Sequence, residues 1–513
     1  MSRTLKPRTT GLIVFTSRII SIFTGLLFLI MVTRSLTPTS FGLWEFLLDV
    51  VTFATLPAGL FTYWATREVA RGAVIGRTTQ ALCVAMSGAG LVAYAGLSLG
   101  THSEVGSNIA PFTTAVILVP IFYWSLATQA LVLGHNPAIG AYSLMISEPA
   151  KLLVAFPLLY TFKLGITGVI LSIAVSYVVQ STCSTIQLRD VRKDRIDLAK
   201  AREWLKDYHV PALYTLTGIL AIADTFVASL GARGTTFAGY YQAAFQVATI
   251  VSYSTTLSIA LYPLLLKERS ERLPARLLEF SLLFGIPMGA GTVALAPKIL
   301  YLLKPAYVSS SSPALVFLSL AAVVTLVSTV FDQTLLGRDT ADLNKEDRTR
   351  RMMASDQMFV SGINTAYFAA YLSVVFILAR LSASSPAQEY QLVTYWGVAQ
   401  LLLSCVLVGV KLRRVLKRTP LKLSASPALY VISAVVMGAV LLVVGNSVLP
   451  TGIGTLVFGL RMVGMVALGS AVYFSLLFGI DRRFRRLLRA GVAGVTGRGA
   501  QATAAPETGA ADA

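Results

Sequence analysis

The chain has 513 residues, of which 55% are hydrophobic and only 13% charged, against about 25% charged in an ordinary soluble protein. With a mean hydropathy of +0.70, too few charges remain to cover a soluble surface, which excludes a soluble enzyme, a secreted domain and a disordered chain. The net charge of +19, from 43 Lys and Arg against 24 Asp and Glu, would suggest nucleic acid in a soluble protein; here the basic residues are first placed relative to a membrane.

A spanning helix needs about 20 mostly apolar residues. Fourteen such stretches follow in chain order: 11–33, 43–65, 79–100, 111–133, 142–162, 165–186, 208–230, 238–264, 277–297, 312–336, 358–379, 390–410, 428–446 and 455–480. The first follows a basic segment, Arg3, Lys6 and Arg8, and is too long for a cleaved signal peptide, so it reads as an uncleaved helix. Short loops such as Thr37-Pro38, Asn136-Pro137 and Leu449-Pro450-Thr451-Gly452 punctuate the spans. The predicted fold class is an all-α polytopic membrane protein.

Basic residues concentrate on the cytoplasmic side of membrane proteins. With a cytoplasmic N-terminus, 34 Lys and Arg fall in inside segments, 6 in outside segments, and three, Arg18, Lys151 and Arg461, within spans. An inserted or missing span would invert every later loop, so this split supports fourteen spans with both termini cytoplasmic. The inside loop 134–141 carries no Lys or Arg. The basic loops are explained by orientation and contact with anionic headgroups, and nucleic acid is not an expected partner.

Six spans, 1–186, precede a basic cytoplasmic linker, 187–207, that carries seven Lys and Arg. Six more follow at 208–410, then a pair at 411–480 and a basic, then disordered, tail at 481–513. Equal halves suggest duplication. A short echo agrees: Ser35-Leu36 before Phe41-Gly42-Leu43-Trp44, and Ser229-Leu230 before Phe237-Ala238-Gly239-Tyr240. Six spans separate the two junctions, so the repeat would be parallel about an axis along the membrane normal.

No outside loop exceeds about a dozen residues, which leaves no room for a lumenal catalytic domain. The sequence holds no GxxxxGK[ST], HExxH or DxD, and the expected cofactor set is empty, metal included. Cys83, Cys183 and Cys405 lie in apolar runs outside any CxxC or Cys/His cluster. His102, His135 and His209 sit in loops or at span ends, so no intramembrane histidine relay is expected.

Ionisable residues in spans cost about 2.5–3.5 kcal/mol each on insertion scales and are functional candidates. Arg18 lies about 10 Å into span 1 at 1.5 Å per residue. It reads either as a structural ion pair or as a cavity contact, where an Arg fork suits phosphate oxygens. Glu148 and Lys151 share one face of span 5, as a self-neutralising pair or as a cavity patch. Glu45 and Asp49 share a face of span 2; Glu45 reads as interfacial and a partner for Arg34, and Asp49 as the deeper and more interesting acid. Asp224 falls in the outer half of span 7, Asp332 near the inner end of span 10, and Arg461 in span 14. A buried lone carboxylate favours its protonated form, the property that a proton-coupled carrier uses and that a structural Asp shares.

The run Arg34-Ser35-Leu36-Thr37-Pro38-Thr39-Ser40-Phe41-Gly42-Leu43 resembles the R-x-L-x-P-x-x-[FY]-G junction of polysaccharide transporters. These are the Wzx-like O-antigen and teichoic-acid exporters of the MOP (MATE-like) superfamily. Asp224 followed by Gly239-Tyr240-Tyr241-Gln242-Ala243-Ala244 looks like that family's D…G-x-Y-x-x-A stretch. Pro263 matches its proline at the end of helix 8, and Ala296–Tyr307 resembles its run after helix 9. The motifs cover 11–340.

The resemblance implies two six-helix lobes in a V that opens alternately to either face, with a C-terminal helix pair. It implies a polyprenyl- or dolichyl-(pyro)phosphate-linked oligosaccharide as substrate, flipped for surface glycan synthesis, and association with glycan polymerase or ligase machinery. Arg18, Lys151 and Arg461 are then candidate phosphate contacts. Asp49, Glu148, Asp224 and Asp332 are candidate carboxylates for H+ or Na+ coupling. Arg34, Pro38, Gly42, Gly239, Tyr241 and Pro263 are motif positions with structural roles. A MATE-type cation-coupled drug antiporter is the alternative. A membrane enzyme acting on lipid-linked sugars ranks third, for want of outer loops.

Overall fold

The computed structural model describes residues 7–206, 209–254, 273–336, 355–385, 388–418, 421, 424–452 and 454–486. The described residues are helical and form no strand. The first lobe holds α1 (Pro7–Ser35), α2 (Pro38–Thr55), α3 (Ala58–Ala70), α4 (Gly76–Thr101), α5 (Ala110–Ala115), α6 (Leu118–His135), α7 (Pro137–Phe156) and α8 (Ile166–Gln187). The linker forms α9 (Leu198–Lys206). The second lobe holds α10 (His209–Ile222), α11 (Asp224–Ala232), α12 (Thr236–Ser252), α13 (Leu273–Ala294), α14 (Ala296–Leu303), α15 (Val308–Leu336), α16 (Asp356–Ser384) and α17 (Glu389–Arg418). The C-terminal pair is α18 (Ser426–Val448) and α19 (Thr455–Ile480).

Eleven described helices are long and apolar enough to cross a membrane, and thirteen spans result if each of two bent pairs counts as one. The chain is a multi-pass membrane protein. One bent pair is α2 with α3, at 66°, where Pro57 has no N–H to continue the ladder. The other is α10 with α11, at 48°, which breaks at Ala223. The eighth predicted span is α12, described for 17 residues; that span beyond Ser254, Pro263 included, lies outside the described residues.

Local sequence sets the helix starts. The Thr37 side chain accepts from the Ser40 N–H at 3.1 Å with Pro38 in the first turn, and the Asn136 side chain accepts from the Ala138 N–H at 3.1 Å ahead of Pro137. Each satisfies an orphan donor that hydrocarbon would leave unpaired. The linker is docked rather than free. Asp194 accepts from the N–H groups of Arg77 and Thr78 at the start of α4, at 2.8 and 2.9 Å. Trp204 Nε1 donates to Glu68 at 2.8 Å. Lys200, bonded to Glu203 and Glu68, is held above its ordinary pKa by these carboxylates.

The two lobes meet where α2 and α12 begin. A Cβ on Gly42 would fall on the Thr235 carbonyl and the Gly239 nitrogen, and a Cβ on Gly239 would fall on the Pro38 carbonyl and the Gly42 nitrogen. The two contacts are the same contact with the lobes exchanged. Thr39 Oγ1 meets Thr236 Oγ1 at 2.8 Å between them, as expected on a twofold axis. The sequence echo located this junction but misread its register by one residue, because Gly42 is matched by Gly239 and not by Ala238. Around it, Arg34 donates to the carbonyls of Leu302 and Tyr301 at 2.9 and 3.1 Å. Lys304 donates to the Leu36 carbonyl at 2.6 Å. Each cation closes the C-terminus of the other's helix, so Arg34 is not the partner of Glu45.

The helix of span 12 continues past the predicted span end at 410. α17 runs on to Arg418, and Lys411, counted above as a loop charge, is 1% exposed. The C-terminal pair packs on α13 and turns large side chains such as Val443 and Leu456 outward, 76% and 78% exposed, as a lipid-facing surface requires.

Candidate functional site

A cavity of about 1190 Å³ opens inside the first lobe, lined by α1, α2, α3, α6, α7 and α8. Thr215 of α10 and Gln246 of α12 border it from the second lobe. Among the described residues, its formally charged lining is Arg18, Glu45, Glu148 and Lys151. The rest of the polar lining is hydroxyls and amides, including Gln129, Gln180 and Gln246, with aromatic faces from Trp44, Tyr63 and Tyr177.

In span 5 the two charges are paired and also border the cavity. Lys151 Nζ sits 2.8 Å from Glu148 Oε2, Thr24 donates to the same oxygen at 2.7 Å, and the Lys151 ammonium lies 5.0 Å from the Phe28 ring centre; both members of the pair line the cavity. The Arg18 side chain is exposed and forms no ion pair among the described residues. Arg67, stacked on Tyr63 at 4.4 Å, does not line the cavity.

Other sequence candidates fall elsewhere. Arg461 is exposed and donates to the Val448 carbonyl at 3.1 Å, closing the end of α18; it is not a cavity cation. Asp49 does not line the cavity either. Its Oδ2 accepts from the Phe226 N–H at 3.0 Å and so caps α11 across the lobe boundary, which leaves Glu45 as the cavity acid of span 2. Glu45 is approached by the Gln246 amide at 3.5 Å. Asp332 is paired with Lys411 at 2.7 Å and accepts from Asn364 at 3.3 Å, away from the cavity.

Asp224 is buried at the head of a polar network in the second lobe. It accepts from its neighbour Thr225 N–H at 2.8 Å and from Tyr371 Oη at 3.2 Å. Tyr371 Oη meets Tyr241 Oη at 2.7 Å and accepts from Trp396 Nε1 at 2.9 Å. Tyr241 donates onward to Gln400 at 2.6 Å and stacks on Trp396 at 3.6 Å. Beside it Gln242 donates to Thr225. Among the described residues no group of three or more His, Cys, Asp or Glu side chains is placed to hold a metal ion.

Sequence reading missed Lys411 and the amides Gln129, Gln180 and Gln246, and read Glu45 as interfacial rather than as a cavity residue. Lys411 had a readable signal, since it continues the helical period of span 12. The amides had none, because uncharged polar residues in a span look alike whether they face a cavity or a neighbour.

No protein-family profile matches the sequence, and no curated protein matches it. Solved structures do. The lipid II flippase MurJ in an inward closed conformation aligns with a TM-score of 0.65 at 12% identity, covering 93% of this chain and 100% of that one. A multidrug resistance MATE family transporter of the MOP superfamily aligns in its inward-facing conformation with a TM-score of 0.56 at 14% identity, covering 80% and 99%. An outward-facing conformation of such a transporter gives 0.55 at 15%, covering 82% and 98%. At these identities the likeness is one of fold, and this chain has the fold that the MATE transporters and MurJ share.

Proposed function

We propose that this chain is a membrane transporter that carries a lipid-linked oligosaccharide across the cytoplasmic membrane, sugar head through the cavity and lipid tail in the bilayer. The observation that carries the reading is the cavity, which at about 1190 Å³ exceeds the roughly 300–1,000 Å³ of ordinary small-molecule pockets. Amides, hydroxyls and aromatic faces suit sugar hydroxyls and ring faces, and Arg18 suits a phosphate. Transport would proceed by rocking of the lobes that alternately closes and opens the Gly42–Gly239 junction, with Asp224 and its tyrosine network as the candidate for H+ or Na+ coupling. The fold shared with a lipid II flippase supports the same reading. Domain limits at 186, 207, 410 and 480 belong to the same reading, with both termini cytoplasmic.

Deletion of the gene should leave the lipid-linked sugar on the inner leaflet and deplete the surface glycan, with rescue by the gene. A full surface glycan in the deletion strain contradicts the reading. A cationic drug antiporter is the second reading, favoured by Glu45, which faces the cavity without a basic partner among the described residues. Drug sensitivity of the same strain with intact glycan would select it.

Arg18→Ala should lose about 1.5–3 kcal/mol of charge-assisted phosphate binding, roughly tenfold to a hundredfold in affinity. Rescue should fail at normal protein level. Unchanged rescue removes Arg18 from the substrate path.

A further inference from the structure

Arg34 and Lys304 form a pair of cations at one end of the bundle. Arg34 donates to the Tyr301 and Leu302 carbonyls, and Lys304 donates to the Leu36 carbonyl. Each side chain thus reaches the backbone beside the other residue. Burial and the Arg34 charge hold the Lys304 ammonium below its ordinary pKa. Neither cation has a carboxylate partner among the described residues. The undescribed residues in the connections at this end are Pro386, Ala387 and Ile453, which carry no charge. The segments 1–6, 255–272, 337–354 and 487–513 connect to helix ends on the opposite side.

The helix ends that the pair closes do not neutralise it. Each C-terminus offers about half a negative charge, so roughly one of the two positive charges is left over. Donors are left over as well. An Arg carries five N–H groups and a Lys three, and most of those on this pair have no acceptor among the described residues.

The pair sits where a lipid head would meet it. The cavity side of α1 carries Arg18, Leu29 and Val32. At about 100° per residue, Phe23, Leu27 and Arg34 fall on the opposite side, and Phe23 and Leu27 are exposed. Tyr160 donates to the Met31 carbonyl at 3.4 Å, about one turn before Arg34, with its ring exposed. Tyrosines concentrate at the membrane–water interface, which puts Arg34 at headgroup depth above an apolar stripe.

We infer that Arg34 and Lys304 bind the phosphate of an anionic phospholipid from the leaflet at this end, the outer leaflet in the orientation proposed above. Their remaining N–H groups donate to the phosphate oxygens, and the acyl chains lie along Phe23 and Leu27. A head with no cation of its own matches the leftover charge, whereas a zwitterionic head brings a cation that the pair repels. Arg34 belongs to the first lobe and Lys304 to the second, so the bound lipid spans the seam between them.

The test uses purified full-length protein in detergent, titrated with phosphatidylglycerol or phosphatidylcholine of the same acyl chains, with bound lipid counted by native mass spectrometry. Both heads carry a phosphodiester, and only phosphatidylcholine carries a cation. The first phosphatidylglycerol should bind at least about fivefold tighter, the ratio that about 1 kcal/mol represents. Lys304→Gln should abolish that preference. Arg461→Gln removes one positive charge from another helix end on the same side and should keep it. If Lys304→Gln fails to fold, Ala306→Glu, at an exposed position two residues away, brings a carboxylate toward the pair without touching its bonds and should also abolish the preference. Inorganic phosphate in large excess should not displace the lipid. No preference in the parent protein, or one that survives the change beside the pair, overturns the inference. A preference that Arg461→Gln also abolishes reflects general surface charge and overturns it too. Displacement by inorganic phosphate would assign the pair to a free anion and overturn the lipid.

Discussion

Lys411→Met should destabilise the protein by about 3–5 kcal/mol, the cost of leaving one member of a buried ion pair without the other. Lys411 is 1% exposed, and its Nζ lies 2.7 Å from both Asp332 and Ser328. With the ammonium gone, the Asp332 carboxylate keeps among the described residues only the Asn364 amide at 3.3 Å. The pair ties α15 to α17, the most extensive helix contact of the second lobe. The double variant Lys411→Met/Asp332→Leu should recover most of the loss, because two apolar side chains leave no buried charge. Thermal unfolding in one detergent, compared across the three proteins, checks this. A single variant as stable as the parent would show that the pair does not hold these helices together.

Gly42→Val should have the largest effect on transport. The added Cβ meets the backbone of Thr235 and Gly239, and the Thr235 carbonyl is itself fixed as acceptor for the Gly239 N–H at 2.9 Å. No rotamer change relieves such a clash, so α2 and α12 must separate. Overpacking costs about 1–3 kcal/mol, and each 1.4 kcal/mol is about a tenfold shift in population. The junction should therefore open, and the conformer held closed there should become rare. Gly239→Val should behave alike, since the contact is reciprocal. Spin-label distances between the ends of α2 and α12 would report the opening. Unchanged distances with full transport in both variants would remove the junction from the mechanism.

The parts of this fold legible in the sequence are those that hydrocarbon enforces. A span must be apolar for about 20 residues, and the basic loops must stay on one side, so the helices were readable without any tertiary information. Thr37-Pro38 and Asn136-Pro137 announced helix starts, and Pro57 marks the bend of span 2. The break at Ala223 had no such marker. Asp49 caps that helix from the other lobe, 177 residues away. Lys411 resembled a loop charge because its partner Asp332 is 79 residues distant. Glu45 and Asp49 share a helix face, yet only the packing of α11 decides that one faces the cavity and the other a backbone amide. Arg461 shows the converse: a charge in an apolar span can close a neighbouring helix end instead of bordering the cavity.

If the lobes rock to move a lipid-linked sugar, the Gly42–Gly239 junction must open and close in each cycle. Thr39 Oγ1 and Thr236 Oγ1, 2.8 Å apart, offer a reversible lock. Thr39→Cys/Thr236→Cys would be placed in a chain in which Cys83, Cys183 and Cys405 are replaced by Ala, and flipping of a fluorescent lipid-linked sugar followed in proteoliposomes. Transport should run in the reduced protein, stop when the disulfide forms, and resume on reduction. Transport that continues at full rate through the locked junction would contradict the account.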